Sequence, residues 1–389
     1  MADDPPRSRA ARAAAERALI RIVHHYGARP EFVVLGGLVP ELLCSSNAFN
    51  HAGTTDIDVQ VDLEIACGAV NTARLEQALR NAEFEPDQER IWRWKADGVD
   101  TRTVVKFELL ADLDDAPAGA NVAFDGCDHL GAANLRGTGF ASRDIEIRTL
   151  RARVGGVEQT AEINVTGLAG FLLAKSAAAH SRRKPKDWYD IAFVLLHNDA
   201  GGPEQAAQAV LAHFGGDLVT VRSALDDLLD NFAATDAQGP LAYAEQMMLD
   251  HRELDPSSLL AEAVIAVELF ICCSIRAENS RSRSPTREAN QSRQTLRHRQ
   301  RPRSDGRPAR RTPTFHRLRR PRALRRSCDQ CSQLAVGESA AIAERAHRSL
   351  RQPVREPGQI RCLASSSVGV FGETDVFVDD ADHAAAGRR

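Results

Sequence analysis

Hydrophobic and polar positions follow two different periods in the first 165 residues. Ala, Leu and Ile recur at helical spacing over residues 8–27, which predicts a helix after Ser8. The run EFVVLGG (31–37) predicts a short buried strand that ends in a glycine turn. Strict alternation over residues 55–63 predicts a half-buried strand. The same reasoning predicts a short helix over 38–44, a helix over 71–82, strands over 91–95 and 103–112, and two strands within 143–165.

Residues 166–270 change to the helical period throughout. Thr166 is the expected N-cap of a helix through GLAGFLLAKSAAAHS, and Pro185 is expected to separate it from a helix that opens at Lys186-Asp187. The chain is therefore expected to be α+β, with a core over 1–165, a helical domain over 166–270 and a tail over 271–389. Further helical segments are predicted at 188–197, 204–214 and 219–232.

Charge sets the tail apart from the rest of the chain. Residues 276–326 hold 18 arginines, no lysine and three acidic residues, a formal charge of +15 in a chain whose total is -3. Apolar periodicity also ends near Ile275, and such a segment buries too little apolar surface to offset its chain entropy. Three interpretations stay open: a reading-frame shift near 270–276, a disordered native tail, or a basic arm that binds nucleic acid. The arginines do not alternate with aromatic residues, and this absence of interleaving disfavours the last interpretation.

Targeting signals and metal motifs are sparse. The first residues lack the apolar run of a signal peptide. The longest apolar run, 259–274, is interrupted by Glu262 and Glu268, so we expect it to be too short and too charged to span a membrane. A cytoplasmic location without a membrane partner is the expectation. Cys328 and Cys331 form a lone CxxC without a second ligand pair, which does not predict a zinc site.

The segment TTDIDVQVDL (54–63) carries the clearest candidate chemistry. Alternation puts Asp56, Asp58, Gln60 and Asp62 on one face of the strand and apolar residues on the other. Two neighbouring carboxylates repel each other unless a cation neutralises them, and magnesium prefers such oxygen ligands. The alternative is a solvated polar face on an edge strand.

Two flanking segments bear on this strand. Gly36-Gly37 lies about twenty residues upstream, where backbone N–H groups are able to approach a phosphate beside Thr55, although a plain turn is the alternative. Downstream, Glu108 lies on the alternating strand 103–113. If the two strands pair, Glu108 supplies a third carboxylate as general base or metal ligand. Asp112 is a competing candidate, and a surface Lys106–Glu108 pair is the alternative.

The stretch LLAKSAAAHSRRKPKDWYDIAFVLL (172–196) concentrates basic residues in an otherwise acidic region. Lys175 and Arg182 are seven residues apart and share a helix face, and Asp187 and Asp190 project together three residues apart. With Lys186, these cations are suited to neutralise a triphosphate and departing pyrophosphate. Exposed charge pairing along two helices is the alternative.

Together these segments resemble the AbiEii-type nucleotidyltransferase-like toxins of bacterial toxin–antitoxin systems, including mycobacterial members. The resemblance covers roughly residues 30–200 and stays compatible to about 265. It rests on the glycine turn after a strand, on T-x-DID from Thr54 to Asp58, and on the K…R…KDxYDI stretch. It implies a nucleotidyltransferase-like mixed β-sheet with flanking helices in the core.

The resemblance also implies residue roles. Asp56 and Asp58, with Glu108, would hold Mg²⁺; Lys175 and Lys186 would contact the nucleotide phosphates; and Asp187 or Asp190 would complete the site. The implied substrate is an NTP, the implied acceptor a tRNA 3′ end, and the implied partner an antitoxin. Transfer to a protein or small-molecule hydroxyl, or a binding protein with little or no activity, are the alternatives. The chain departs from the family at Leu38, where a Ser or Thr often follows the glycine pair.

Overall fold

The computed structural model describes residues 7–61, 69–97, 103–154 and 156–281. Asp62, residues 282–326 of the arginine-rich segment and Cys328–Cys331 lie outside the described residues. Within them the chain forms nine strands and ten helices, which confirms a mixed α and β fold with a mixed sheet.

All the strands join one sheet in the order β3-β4-β5-β2-β1-β9-β8, with β7 pairing with β5 and β6 beside this path. The strands are β1 (Val33–Leu35), β2 (Asp56–Gln60), β3 (Glu85–Pro86), β4 (Arg93–Asp97), β5 (Val104–Ala111), β6 (Asn121–Ala123), β7 (Gly131–Asn134), β8 (Ile145–Val154) and β9 (Val157–Thr166). The centre of the sheet mixes directions, because β2 runs antiparallel to β1 and parallel to β5.

Helices make up most of the remaining structure. They are α1 (Arg9–Tyr26), α2 (Val39–Leu43), α3 (Ala69–Asn81), α4 (Gly139–Ser142), α5 (Leu168–Arg182), α6 (Pro185–His197), α7 (Pro203–Phe214), α8 (Arg222–Asn231), α9 (Gln238–Asp250) and α10 (Pro256–Arg281). A single 3-10 turn, Gly36–Leu38, links β1 to α2. α1 begins where predicted, because the Ser8 hydroxyl accepts a hydrogen bond from Ala11 N at 3.1 Å.

The pattern of β2 explains its place in the middle of the sheet. Ile57 and Val59 are fully buried, while Asp56 and Asp58 on the opposite face remain partly exposed. In the parallel register, Ile57 lies beside Phe107 and Val59 beside Leu109, so one face of β2 and β5 enters the hydrophobic core. The other face carries charged residues, because alternate side chains of a strand point to opposite sides.

Several elements differ from the sequence-based prediction. Thr166 is the last residue of β9 and is buried, and α5 begins after Gly167 without a side-chain cap, so the predicted Thr166 cap is wrong. Its hydroxyl faces Gly167 O at 3.4 Å rather than a free helix N–H. The short strands β3, β6 and β7 and the short helix α4 were not predicted, because two to four residues are too few to show a period.

The last described helix, α10, continues past the predicted boundary at residue 270 and carries the longest apolar run. Its segment Pro256–Ser274 is long and apolar enough to cross a membrane by length and composition, so the expectation that it is too short and too charged was wrong. In this fold, however, Val267, Phe270 and Ile271 are buried in the same core as α6, α7 and α9. A helix buried in a protein core meets the same criteria of length and composition as a membrane-spanning helix.

Candidate active site

The charged face of β4, β5 and β2 brings six residues into two rows. In the first row Arg93 pairs with Glu108, and Glu108 pairs with Asp58. In the second row Lys95 lies beside Lys106 in the strand register, and Lys106 lies beside Asp56. The strand 103–113 therefore does pair beside Asp56 and Asp58, which is the condition for Glu108 to supply a third carboxylate there.

Ion pairs link the members of these rows. Lys106 Nζ lies 3.2 Å from Asp56 Oδ1. Arg93 donates from Nε and Nη2 to Glu108 Oε1 at 2.7 Å and 2.5 Å. The alternative of a surface Lys106–Glu108 pair is therefore wrong, because Lys106 contacts Asp56 on β2 and Glu108 contacts Arg93 on β4.

The carboxylates of the first row hold their protons more tightly than free carboxylic acids. Burial raises the pKa of Asp58, and repulsion from Asp56 raises it further. Burial also raises the pKa of Glu108 to about 7, with Asp58 adding to this effect and Arg93 opposing it. A carboxyl group with a pKa near 7 exchanges a proton readily at neutral pH, which suits a general base.

The glycine turn after β1 lies against Asp58. Gly36 has φ +75°, and a Cβ atom there would lie 1.9 Å from Asp58 Oδ2. A Cβ atom on Gly37 would lie 3.0 Å from Thr54 Cβ. Thr54 Oγ1 in turn accepts a hydrogen bond from Asp56 N at 3.0 Å, and the neighbouring Thr55 is buried. Gly36 thus approaches the Asp58 carboxylate, and Gly37 approaches the Thr54 side chain, as only residues without a side chain can.

Leu38, the departure from the expected Ser or Thr, is 2% exposed and belongs to the hydrophobic core. Its side chain contributes to packing beneath the turn. Any contact between this turn and an anion therefore comes from the backbone of Gly36 and Gly37, since position 38 offers no polar side chain.

A buried ionic cluster joins α5 to α6. Lys175 Nζ donates to Asp187 Oδ1 at 2.9 Å and lies 2.7 Å from Asp190 Oδ2, the second contact without hydrogen-bond geometry. Both carboxylates are almost fully buried. Burial alone would raise the pKa of Asp187 and Asp190, but in each case the neighbouring cations outweigh it and the pKa falls below its usual value.

Two more exposed cations border this cluster. Arg182 donates to both oxygens of Asp187, at 2.6 Å from Nε and 2.7 Å from Nη2. Lys186 Nζ lies 3.8 Å from Asp56 Oδ2, which is a direct link between α6 and β2. The positive charges of Lys175, Arg182 and Lys186 each oppose the rise in the pKa of Asp58. The cations of α5 and α6 therefore act on the carboxylates of the sheet.

Two residues that the sequence did not single out complete the surroundings of Asp190. Arg7 Nη2 donates to Asp190 Oδ1 at 2.6 Å. His51 Nε2 lies 2.9 Å from the same oxygen, and Gly53 N donates to His51 Nδ1 at 3.3 Å, so His51 donates from Nε2 as a neutral ring. Burial supports this state by lowering the pKa of His51 to about 4. Tyr189, which precedes Asp190 on α6, stacks on His51 and accepts a hydrogen bond from Ala52 N.

The structure thus places the predicted residues in two adjoining groups. Asp56, Asp58 and Glu108 meet on the sheet beside Gly36, Gly37 and Thr55, while Lys175, Arg182, Lys186, Asp187 and Asp190 meet where α5 and α6 join. The competing candidate Asp112 lies elsewhere in the structure: its Oδ2 accepts hydrogen bonds from Gly137 N and Gly139 N and holds the turn before α4.

Arg93, Arg7 and His51 were missed. Arg93 lies on a strand whose alternation was visible, but its contact with Glu108 depends on strand register. Arg7 and His51 lie 183 and 139 residues from Asp190, so no local pattern indicates their contacts.

The carboxylates of β2 were tested as ligands of a divalent cation. Among the residues that the structure describes, no three His, Cys, Asp or Glu side chains form a ready cage for a metal ion. Asp56 and Asp58 are same-face neighbours, however, and magnesium is usually held by one or two carboxylates together with water and substrate phosphates. This donor set fits a cation that binds together with a nucleotide.

Comparison with known proteins gives a family match over part of the chain. The family model described as "Nucleotidyl transferase AbiEii toxin, Type IV TA system" matches residues 134–264. No curated protein matches the chain. The matched segment begins in β7 and ends within α10, so it contains Lys175, Arg182, Lys186, Asp187 and Asp190 but not the carboxylates of β2 and β5.

Proposed function

This chain belongs to the AbiEii nucleotidyltransferase toxin family through residues 134–264, and from that premise we propose that it is a metal-dependent enzyme that transfers a nucleotide from an NTP to a tRNA 3′ end. The observation that carries the proposal is the 3.8 Å approach of Lys186 Nζ to Asp56 Oδ2. It places the cations of the matched segment against the carboxylates of a strand outside it. Opposite charges facing each other in this way suit a substrate that combines a metal ion with a polyphosphate.

The sheet carboxylates bind and orient the reacting groups. Asp56 and Asp58 would hold a divalent cation, expected to be Mg²⁺, which neutralises charge on the triphosphate when bound. The backbone N–H groups of Gly36 and Gly37 would contact the phosphates, at a turn where a side chain on Gly36 would collide with Asp58. Glu108 accepts the proton of the attacking hydroxyl, because its pKa of about 7 leaves much of it ionised at neutral pH.

The helical cations act on the leaving group. As the acceptor oxygen bonds to the α-phosphorus, the bond from the α-phosphorus to the bridging oxygen breaks and pyrophosphate leaves with the electron pair. Lys186 and Arg182, with side chains 28% and 40% exposed, stabilise that charge. Lys175 is buried between Asp187 and Asp190, and in this proposal it fixes the two helices and adds positive potential.

Labelled nucleotides test this proposal directly. Purified full-length protein is incubated with magnesium, total tRNA and each of the four α-labelled NTPs, and tRNA is expected to become labelled by at least one. Periodate-oxidised tRNA lacks the 3′-terminal hydroxyls and should stay unlabelled. Asp58→Asn should abolish labelling, whereas Asp125→Asn, in an exposed turn, should not.

Three results would argue against parts of the proposal. Labelling of added protein or of a small hydroxyl compound, but not of tRNA, would show that the acceptor is one of these hydroxyl groups instead of the tRNA 3′ end. Thermal stabilisation by NTP and metal without transfer would indicate a binding protein. No stabilisation and no transfer with any NTP would remove the enzyme proposal altogether.

The family also implies a biological setting. Its description as a type IV toxin–antitoxin system implies an antitoxin partner and an NTP substrate. We place the proposed activity in the cytoplasm, where NTPs and tRNA are found. Growth arrest on expression, relieved by Asp58→Asn but not by Asp125→Asn, would support the toxin role.

A further inference from the structure

The three carboxylates of the sheet differ in how their charge is balanced. Strand register puts Lys106 directly beside Asp56, and Arg93 directly beside Glu108. Because strand register sets these neighbours, each cationic side chain starts beside its carboxylate on the same face of the sheet. Two of the three carboxylates therefore have a cationic neighbour within the sheet.

Distances and exposure support this difference. Lys106 Nζ is 3.2 Å from Asp56 Oδ1, with both side chains less than one-fifth exposed. Arg93 places two nitrogen atoms on Glu108 Oε1. Asp58 has no cation within ion-pair distance among the residues that the structure describes, and the cations that affect its pKa act from farther away.

We propose that this site takes a single divalent cation with the nucleotide, held at Asp58 and shared with Asp56, and that the Lys106 ammonium fills the role of a second cation. The inference rests on the proposed function and decides between a one-metal and a two-metal site. A second divalent ion beside Asp56 would be repelled by Lys106, and one beside Glu108 would be repelled by Arg93.

The position of Lys106 also explains how it acts with a bound nucleotide. It lies on the same face as Asp58, on the strand next to it. A fixed ammonium there neutralises phosphate charge without needing ligands of its own, whereas a second metal ion would need several oxygen ligands. Lys106 is thus a positioning and charge-balancing residue of the metal and phosphate site.

Manganese binding measures the number of ions directly. Full-length protein is titrated with Mn²⁺ in the presence of a saturating non-hydrolysable NTP analogue, and bound ion is counted by electron paramagnetic resonance. The wild type is expected to bind one Mn²⁺ per chain. Lys106→Met is expected to bind two, because the nearest positive charge is gone and Asp56 keeps only the more distant Lys186, 3.8 Å from its Oδ2. Lys106→Arg keeps the charge and should bind one.

Lys95→Met is the matched control. Lys95 neighbours Lys106 in the same row, but its ammonium pairs with Asp87 at 2.5 Å, so its loss should leave one ion per chain. Circular dichroism and thermal unfolding show that each variant is folded before titration. Lys106→Gln replaces Lys106→Met if the latter does not fold.

Two outcomes overturn the inference: two Mn²⁺ per wild-type chain, or a single Mn²⁺ in folded Lys106→Met at saturation. Two ions in a wild type that labels tRNA would leave the proposed function standing and remove only the one-metal inference. A protein that binds no ion with the analogue and transfers no nucleotide would contradict the proposed function itself.

Discussion

Arg7 and Asp190 lie 183 residues apart in the sequence, yet Arg7 Nη2 donates to Asp190 Oδ1 across 2.6 Å. Arg7 also donates from Nε to Gly53 O at 3.0 Å and covers the ring of Tyr189 at 5.0 Å. Gly53 precedes β2, whereas Asp190 and Tyr189 belong to α6. One side chain therefore ties the start of the described chain to both groups of the candidate site.

Replacement of Arg7 should cost stability. Arg7→Met leaves Asp190 with Lys175 and His51 as its remaining partners, and we expect a loss of about 2 to 3 kcal/mol in the free energy of unfolding. Arg7→Lys should recover only part of this, because a lysine does not reproduce the fork of a guanidinium. Urea denaturation measures the effect, with the exposed neighbour Arg9→Met as control. Equal losses in Arg7→Met and Arg9→Met would show that the buried contact contributes nothing.

Gly36→Ala should lower stability and transfer activity more than Gly119→Ala does. Gly36 and Gly119 have almost the same φ, +75° and +80°, but only at Gly36 would a Cβ atom meet Asp58; at Gly119 it meets nothing within 4 Å. We expect Gly119→Ala to cost about 1 kcal/mol from backbone strain and Gly36→Ala about 2 to 4 kcal/mol. Transfer activity should fall at least ~100-fold only in Gly36→Ala. Similar activities in the two variants would contradict the close approach to Asp58.

Substitution of Lys175 should mainly lower stability, whereas substitution of Lys186 should mainly lower activity. Lys175→Met leaves two buried carboxylates without their shared ammonium, so we expect a loss of about 3 to 5 kcal/mol. Lys186→Met affects a side chain that is 28% exposed and should cost less than about 1 kcal/mol. Its effect should appear instead as a fall in kcat/KM of ~100-fold, measured by nucleotide transfer at a temperature where the variant is folded. A Lys186→Met enzyme with normal kcat/KM would remove Lys186 from the phosphate site.

Acid should destabilise the protein through the buried His51 and the partly buried His197. Burial lowers the pKa of both His51 and His197 to about 4, from an ordinary value of 6.5. The unfolded state therefore binds more protons than the folded state between these two values, and stability falls as the pH drops through that window. Each histidine accounts for up to about 3 kcal/mol by pH 4.

A pairwise comparison isolates one of these histidines. His197→Gln should lose less stability than the wild type between pH 7 and pH 4.5, whereas the exposed His25→Gln should follow the wild type. Urea midpoints at several pH values provide the measurement. Parallel curves for His197→Gln and the wild type would mean that His197 is not held neutral by burial.

Leu38→Ser tests whether the missing hydroxyl limits the enzyme. Because Leu38 is 2% exposed in the core, the substitution should cost about 2 to 5 kcal/mol. It should not lower the KM for the NTP, since this side chain faces the core. A lower KM in the serine variant would show instead that position 38 reaches the phosphates.

The sequence by itself determined the local chemistry. Alternation along β2 placed Asp56 and Asp58 on one face, and the seven-residue spacing placed Lys175 and Arg182 on one helix face, where both now contact Asp187. These features follow from the periods of strands and helices, which depend only on neighbouring residues. The likeness to AbiEii-type toxins rested on the same local patterns, and the match over residues 134–264 confirms it.

The tertiary structure decided which charges neutralise each other. Lys106 contacts Asp56 across 50 residues, and Arg93 rather than Lys106 contacts Glu108. Both choices depend on strand register, which the alternation of one strand does not specify, because a shift of two residues preserves the faces and changes every partner. Arg7, His51 and the burial of Leu38 depend on packing between distant segments. The sequence therefore supplied the reactive groups, and the fold determined which carboxylate, Asp58, remains without a paired cation among the described residues.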